Sequence, residues 1–276
     1  MAEAAALLGK PIADRIRSRI LDERPADLRP CLAVVVASDD AAVARYAAAK
    51  RRTADALGLG FRVETVDPVD GQAAPDARVA ALSADPGVHG ILLELPLAPG
   101  LDPEAAIRRI DPLKDVDGLT PHTLGLIAAG HEADALLPAT PDACIRLAES
   151  VADLRGARAV VIGRGRAVGR ALAPMLVNRD ATVTVCHSRT RNLAAAVAAG
   201  RPGLVTGAMV RPGQVVVDAG ISVVDGRVVG DVDADSVRPV AAALTPVPGG
   251  VGPLTAPLIF DNLLRAVRLQ RRAGRL

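Results

Sequence analysis

Three β-branched residues, Val160-Val161-Ile162, run straight into Gly163-Arg164-Gly165, and a third glycine, Gly169, opens a segment rich in Ala and Leu. Few folds accept that order. It reads as a strand, a tight turn and a helix N-terminus, where glycine lets the backbone turn and lets a pyrophosphate approach its N–H groups. The spacing Gly-x-Gly-x-x-x-Gly is one residue longer than the usual dinucleotide fingerprint, so the turn alone is a weak signal.

The flanking chain has the same character. Cys31-Leu32-Ala33-Val34-Val35-Val36-Ala37 is a continuous apolar run suited to a buried parallel strand. Residues 41–57 follow as a helix ending at Gly58 and Gly60, then strands at 61–66 and 88–95, with helices at 74–84 and 103–110. Residues 7–21 read as an amphipathic helix, and Thr140-Pro141 as a helix start with Thr as its cap. After Ala157 the alternation restarts, with strands at 159–162, 181–186, 204–206, 214–218 and 227–232, and a long helix over 254–269. Alternating strands and helices predict an α/β fold of two domains, the second Rossmann-like. The division expected is 1–139, completed by the C-terminal helix 256–276, and 140–255.

Composition narrows the function. Half of the 276 residues are apolar, the net charge is +2, and the aromatics are one Tyr, two Phe and no Trp. That leaves no case for nucleic acid, which needs basic patches or stacking platforms. Cys31, Cys144 and Cys186 fit neither a disulfide framework nor a metal-ligand spacing, so a cytoplasmic protein without a metal is expected. The N-terminus reads as neither a signal peptide nor a membrane span. Of 33 basic residues only Lys10, Lys50 and Lys114 are lysine, which suggests that a lysine kept in so Arg-rich a chain is chemically required.

Candidate sites follow. The second strand of the restarted pattern ends Cys186-His187-Ser188-Arg189, with no acid to bind a ribose 2′-hydroxyl. Arg164, Ser188 and Arg189 would instead hold a 2′-phosphate, favouring NADP over NAD. Tyr46 and Lys50, four apart on one helix face, are the catalytic pair, although a snorkelling lysine beside a core tyrosine is the plainer reading. Short-chain dehydrogenases share that spacing, but there the glycine turn comes first. Lys114-Asp115-Val116-Asp117-Gly118 places two carboxylates in a turn, one of which could accept bonds from a heterocycle's amino groups; an Asx-type turn is the alternative. Residues 245–255 form a Pro- and Gly-rich loop whose fixed backbone can lie against a flat ligand.

Taken together these stretches resemble the bifunctional methylenetetrahydrofolate dehydrogenase/cyclohydrolase family over essentially the whole chain. The segments that carry the resemblance are Tyr46-x-x-x-Lys50, 90–97, 114–118, 138–141, 161–165, 182–190, 230–233 and 245–255. It implies folate in a cleft against the first domain and NADP on the second. Lys50 would carry the folate chemistry, Tyr46 would line the pterin and Asp117 would grip its amino edge. Gly163, Arg164 and Gly165 would meet the phosphates and Ser188 the 2′-phosphate. Ile221 and Thr255 would lie on the nicotinamide side, and Pro248, Gly249 and Gly250 against the substrate. The resemblance also implies a homodimer that acts on tetrahydrofolate derivatives and serves one-carbon metabolism and purine biosynthesis.

Three positions depart from the family pattern: Glu94 where Gln is usual, Val43 for Ser and Ala139 for Cys; Gly165 stands where Ser is frequent, and glycine there is a familiar variant. Glu94 has the largest expected consequence. A carboxylate beside Lys50 favours its ammonium form and holds it rigidly, which weakens a step that needs a proton accepted. Oxidation of 5,10-methylenetetrahydrofolate is therefore expected to survive, and hydrolysis to 10-formyltetrahydrofolate to be weakened or lost. A relative acting on another one-carbon or imine substrate, or a non-catalytic NADP-binding protein, remains the alternative.

Overall fold

The structure is a computed structural model that describes residues 3–191 and 202–276. In chain order its elements begin with β1 (Ala5–Ala6), α1 (Lys10–Glu23), β2 (Cys31–Val36), α2 (Ala41–Leu57), β3 (Gly60–Thr65), α3 (Ala73–Ala84), β4 (Gly90–Leu93), α4 (Pro103–Ile107) and α5 (Pro121–Ala128). They continue with α6 (Ala139–Glu149), β5 (Arg158–Ile162), α7 (Gly169–Val177), β6 (Thr182–Cys186), β7 (Val215–Val216), β8 (Ser222–Val224), β9 (Arg227–Val229), α8 (Ala234–Val237), β10 (Ala243–Leu244) and α9 (Gly252–Arg272). Two compact units emerge: residues 16–137 with 256–276, and residues 1–15 with 138–255. The first fifteen residues thus group with the later half, unlike the division expected from sequence. β1 explains this, because Ala5 and Ala6 pair in parallel with Ala243 and Leu244 of β10.

In the unit of 16–137 and 256–276, β2 lies between β3 and β4, all parallel. β2 is buried along nearly its whole length, which is why its sequence is an unbroken apolar run. Ala33, Val35, Val79, Leu82, Ile91, Leu93 and Ile107 share one core cluster. A single bridge from Ile91 to Asp115 hangs the 114–118 turn on the edge of β4. α9 holds the same turn from another side. Asn262 Nδ2 donates to the carbonyls of Val116 (2.8 Å) and Leu137 (2.7 Å), and Gln270 Nε2 donates to those of His89 (2.8 Å) and Leu113 (3.1 Å). The C-terminal helix therefore packs on this unit, as the sequence predicted.

In the unit of 1–15 and 138–255, β5 pairs in parallel with β6, and β10 lies between β1 and β7. Two strands expected here differ. Residues 204–206 contribute only one bridge, Val205 to Val232. Residues 227–232 yield β9, which pairs antiparallel with β8 across the Asp225-Gly226 turn. α6 starts at Ala139, one residue before the expected cap, with Pro138 at its N-cap. Thr140 and Pro141 lie inside the first turn, where a missing N–H costs nothing.

Asn262 gives this architecture a test. Replacing Asn262 with Leu keeps the branched outline but strands two carbonyls, each costing about 1–3 kcal/mol if it stays buried. Urea unfolding should show a clear loss of stability with an unchanged slope.

Candidate active site

α2 carries its functional residues on one face because Tyr46 and Lys50 are a helical turn apart. Lys50 is largely buried, and its Nζ lies 5.9 Å from the centre of the Tyr46 ring. Its partner is Glu94, the residue that follows β4 and is held there by its own N–H to Val35 O (2.9 Å). Lys50 Nζ donates to both carboxylate oxygens, at 2.7 and 2.8 Å. The Glu94 side chain is only 7% exposed and that of Lys50 14%, so the pair is little screened by water. Tyr46 is half exposed and leaves a ring face available, while Val43, one turn earlier, is buried.

The two carboxylates of the 114–118 turn have separate duties. Asp115 is fully buried and accepts from Leu119 N–H (3.0 Å), Thr120 N–H (2.8 Å) and Thr123 Oγ1–H (2.9 Å). It fixes the turn and the start of α5, where the Thr120 hydroxyl caps Thr123 N–H (3.2 Å). Burial raises the Asp115 carboxyl from its ordinary value, against the pull of those donors. Asp117 takes no side-chain hydrogen bond among the described residues. Burial and the neighbouring Asp115 push it up to about 7; Lys50 opposes the rise and Glu94 adds to it. Asp117 thus lies within electrostatic reach of the Lys50–Glu94 pair.

Lysine scarcity misleads at two positions of three. Lys10 is an exposed partner of Asp14 (2.6 Å). Lys114 is buried, and its Nζ donates to the carbonyls of Ser83 (2.8 Å), Asp85 (2.8 Å) and Leu82 (3.4 Å) at the C-terminal end of α3. It is a helix cap, where a cation also meets the favourable end of the helix dipole.

The glycine turn belongs to the other unit. Gly163 has φ 106°, and a side chain on Gly169 would put its Cβ 2.2 Å from Gly163 O. Gly165 has open space where a side chain would be, and Arg164 beside it is exposed. Gly163 N–H donates to Cys186 O (2.8 Å), which joins the ends of β5 and β6 and brings Arg164 to the same sheet end as Ser188 and Arg189. His187 and Thr190 close the turn between them: Thr190 Oγ1 accepts from His187 N–H (2.9 Å) and His187 Nδ1 from Arg189 N–H (3.2 Å). Ser188 and Arg189 both face solvent. The donor set therefore fits a dinucleotide with a 2′-phosphate: a close backbone approach, two guanidinium groups, a hydroxyl and no acid at the strand end.

The Pro- and Gly-rich loop is fixed as expected. Val247-Pro248 is a cis peptide, Gly249 has φ 117°, and Gly250 N–H donates to Pro246 O (2.8 Å). Gly9 N–H donates to Gly249 O (2.9 Å), and a Cβ on Gly9 would sit 2.0 Å from Gly250 O. Ile221 is exposed on the segment before β8, and Thr255 Oγ1 donates to Gly252 O (3.0 Å) in the first turn of α9. Ala139 is buried at the start of α6.

The comparisons with known proteins agree with this geometry. Residues 7–117 match the model of the tetrahydrofolate dehydrogenase/cyclohydrolase catalytic domain, and 138–271 match that of its NAD(P)-binding domain. The chain belongs to the tetrahydrofolate dehydrogenase/cyclohydrolase family. It is 48% identical to the bifunctional protein FolD of Deinococcus radiodurans, over 98% of this chain and 95% of that one. The crystal structure of the Campylobacter jejuni bifunctional FolD superposes with TM-score 0.91 at 33% identity, covering 98% and 99% of the two chains. The Trypanosoma brucei enzyme, solved with NADP cofactor and an inhibitor, does so with TM-score 0.89 at 34% identity over the full length of both.

Sequence reading missed two residues of this tetrahydrofolate dehydrogenase/cyclohydrolase fold. Asn262 holds the Asp117 turn from α9, and Asp218, buried after β7, gathers backbone N–H groups around it. Neither lies in a residue pattern that marks chemistry; the signal for Asp218 is only an acid closing an apolar strand run.

Asp117 supplies a pH test. With a value of about 7 it is protonated at pH 6 and ionised at pH 8. Glu94→Gln removes a negative neighbour and leaves Lys50 uncompensated, and both changes favour the carboxylate. The carboxyl 13C shift of Asp117 should titrate near neutrality in the parent protein and at lower pH in the variant.

Proposed function

We propose that this chain oxidises 5,10-methylenetetrahydrofolate to 5,10-methenyltetrahydrofolate with NADP, and that its hydrolysis of the methenyl product to 10-formyltetrahydrofolate is weakened or lost. The observation that carries the second half is the Lys50–Glu94 pair, in which both carboxylate oxygens accept from one ammonium.

In this reading Asp117 accepts from the amino edge of the pterin and Tyr46 lies along its face. Gly163, Arg164 and Gly165 hold the phosphates, Ser188 and Arg189 the 2′-phosphate, Ile221 and Thr255 the nicotinamide side, and Pro248, Gly249 and Gly250 the substrate. Bound NADP accepts the hydride. The protein's part in that step is alignment, since no protein group has to take a proton from the methylene carbon as the hydride leaves. Hydrolysis asks more: a water must be activated and a proton moved, and Lys50 is the group in place to do it. Lys50 bonded to both oxygens of Glu94 is engaged there and not free to turn toward a water.

Membership of the family further supports a homodimeric, cytoplasmic enzyme that supplies one-carbon units for purine biosynthesis. Its three cysteines are free thiols, consistent with a reducing compartment. Among the described residues no helix is long and apolar enough to cross a membrane.

The two activities separate in one experiment. NADP reduction with methylenetetrahydrofolate and loss of methenyltetrahydrofolate absorbance should be followed on the same preparation. Dehydrogenase turnover with little enzymatic hydrolysis is expected, and Glu94→Gln should raise hydrolysis by about tenfold or more while changing oxidation less. Rapid hydrolysis by the parent protein sinks the Glu94 assignment; NADP and folate binding without turnover sinks the assigned activity.

A further inference from the structure

Strand ends of the 1–15 and 138–255 unit come together at one buried aspartate, through its backbone N–H and its carboxylate. β7 ends at Val216 and β10 at Leu244, and the two strands are parallel neighbours, so Asp218 and Thr245 emerge side by side. Asp218 N–H donates to Thr245 Oγ1 (2.7 Å). Asp218 Oδ1 accepts from Gly220 N–H (2.9 Å) and Asp231 N–H (3.1 Å), and Oδ2 from Val232 N–H (3.0 Å). Those three amides bracket both ends of the segment that carries Ile221 and the β8–β9 hairpin. Thr245 in turn starts the loop whose Gly249 carbonyl accepts from Gly9, beyond the end of β1.

The packing leaves no slack. A Cβ on Gly230 would lie 1.9 Å from Asp218 Oδ2, one on Gly220 would lie 2.4 Å from Asp231 Cγ, and one on Gly250 would lie 2.6 Å from Thr245 Cβ. Asp218 is 5% exposed, and among the described residues no Lys or Arg pairs with it. A buried charge held by amides alone is a costly way to fasten two loops. Only a side chain with two acceptor oxygens can take three converging N–H groups at once. Ligands of parallel sheets sit beyond such carboxyl ends.

We infer that Asp218, with Thr245 as its hinge, is a positioning residue: it sets the spacing between the Ile221 segment and the Thr245–Gly250 loop, and so the seat of the nicotinamide end of the cofactor. This rests on the NADP reading above. The adenosine end lies at the glycine turn and at Ser188, which Asp218 does not touch. The inference therefore predicts a split between the two ends of one cofactor. Asp218→Asn replaces one acceptor with an amide that faces the Val232 or Asp231 N–H. Thr245→Val removes the hydroxyl and keeps the shape, and Thr245→Ser keeps the hydroxyl.

The test measures kcat, KM for NADP, and the affinities of NADP and of adenosine 2′,5′-bisphosphate for the full chain and the three variants. Expected are a fall in kcat of about tenfold or more for Asp218→Asn and Thr245→Val, bisphosphate affinity within about twofold of the parent, and recovery in Thr245→Ser. Unchanged kcat in both altered variants overturns the inference. So does a parallel loss of bisphosphate affinity, which would mark Asp218 as merely structural. If Asp218→Asn does not fold, the Thr245 pair decides alone. If the parent binds NADP but does not turn over, the assigned activity falls, and the NADP-to-bisphosphate affinity ratio decides the inference: a ratio unchanged by Thr245→Val overturns it.

Discussion

A lysine and a glutamate share a nearly buried site between α2 and the end of β4, and each is left uncompensated without the other. Taking either charge from water is costly, and only close geometry with both oxygens engaged offsets it. The pair meets that condition. Removing one partner from such an arrangement costs about 3–5 kcal/mol when the other stays charged and buried. Gln at position 94 would be milder, since its amide oxygen still accepts from Lys50. The pair also reaches Asp117, behind burial and Asp115 in effect, with Lys50 and Glu94 pulling it in opposite directions.

Asp117 can respond because Asp115 does not. The two carboxylates sit two residues apart, yet one is saturated by the start of α5, while the other takes no side-chain hydrogen bond among the described residues. The backbone around them is fastened from three directions: the Ile91 bridge, the Asp115 acceptors and the Asn262 amide. A carboxylate near neutrality needs such a frame, because a mobile turn would let it swing into water and recover its ordinary acidity. Rigidity of the turn and ambiguity of the proton are therefore the same fact seen twice.

Much of this was legible in the residues alone. The glycine turn, the acid-free end of β6, the helical face of Tyr46 and Lys50 and the Pro-Gly loop all declare themselves over short spans, because turns and helix faces are local geometry. Lys114 shows where composition misleads: a lysine kept among arginines turned out to cap α3, since a compact ammonium with three donors suits three converging carbonyls. What stayed hidden acts across the chain. Asn262 reaches back to Val116, and Asp218 collects amides from a hairpin and a neighbouring strand. No spacing rule brings such pairs together; only the fold does. The placement of β1 in the later unit has the same origin, because two alanines carry no strand signal until β10 is there to pair with them.

The two steps assigned to this family make different demands on one ammonium. Hydride transfer leaves positive charge on the substrate and needs nearby groups to be oriented and not to compete for the carbon. Hydrolysis needs a group that exchanges protons with a water and then resets. A neutral acceptor beside Lys50 serves both, since it orients the nitrogen without dictating its charge. A carboxylate serves the first and opposes the second, and at 2.7 and 2.8 Å it is near enough to dominate every weaker neighbour. In the proposed reading, the residue at position 94 thus acts through the hydrogen bonds it offers Lys50.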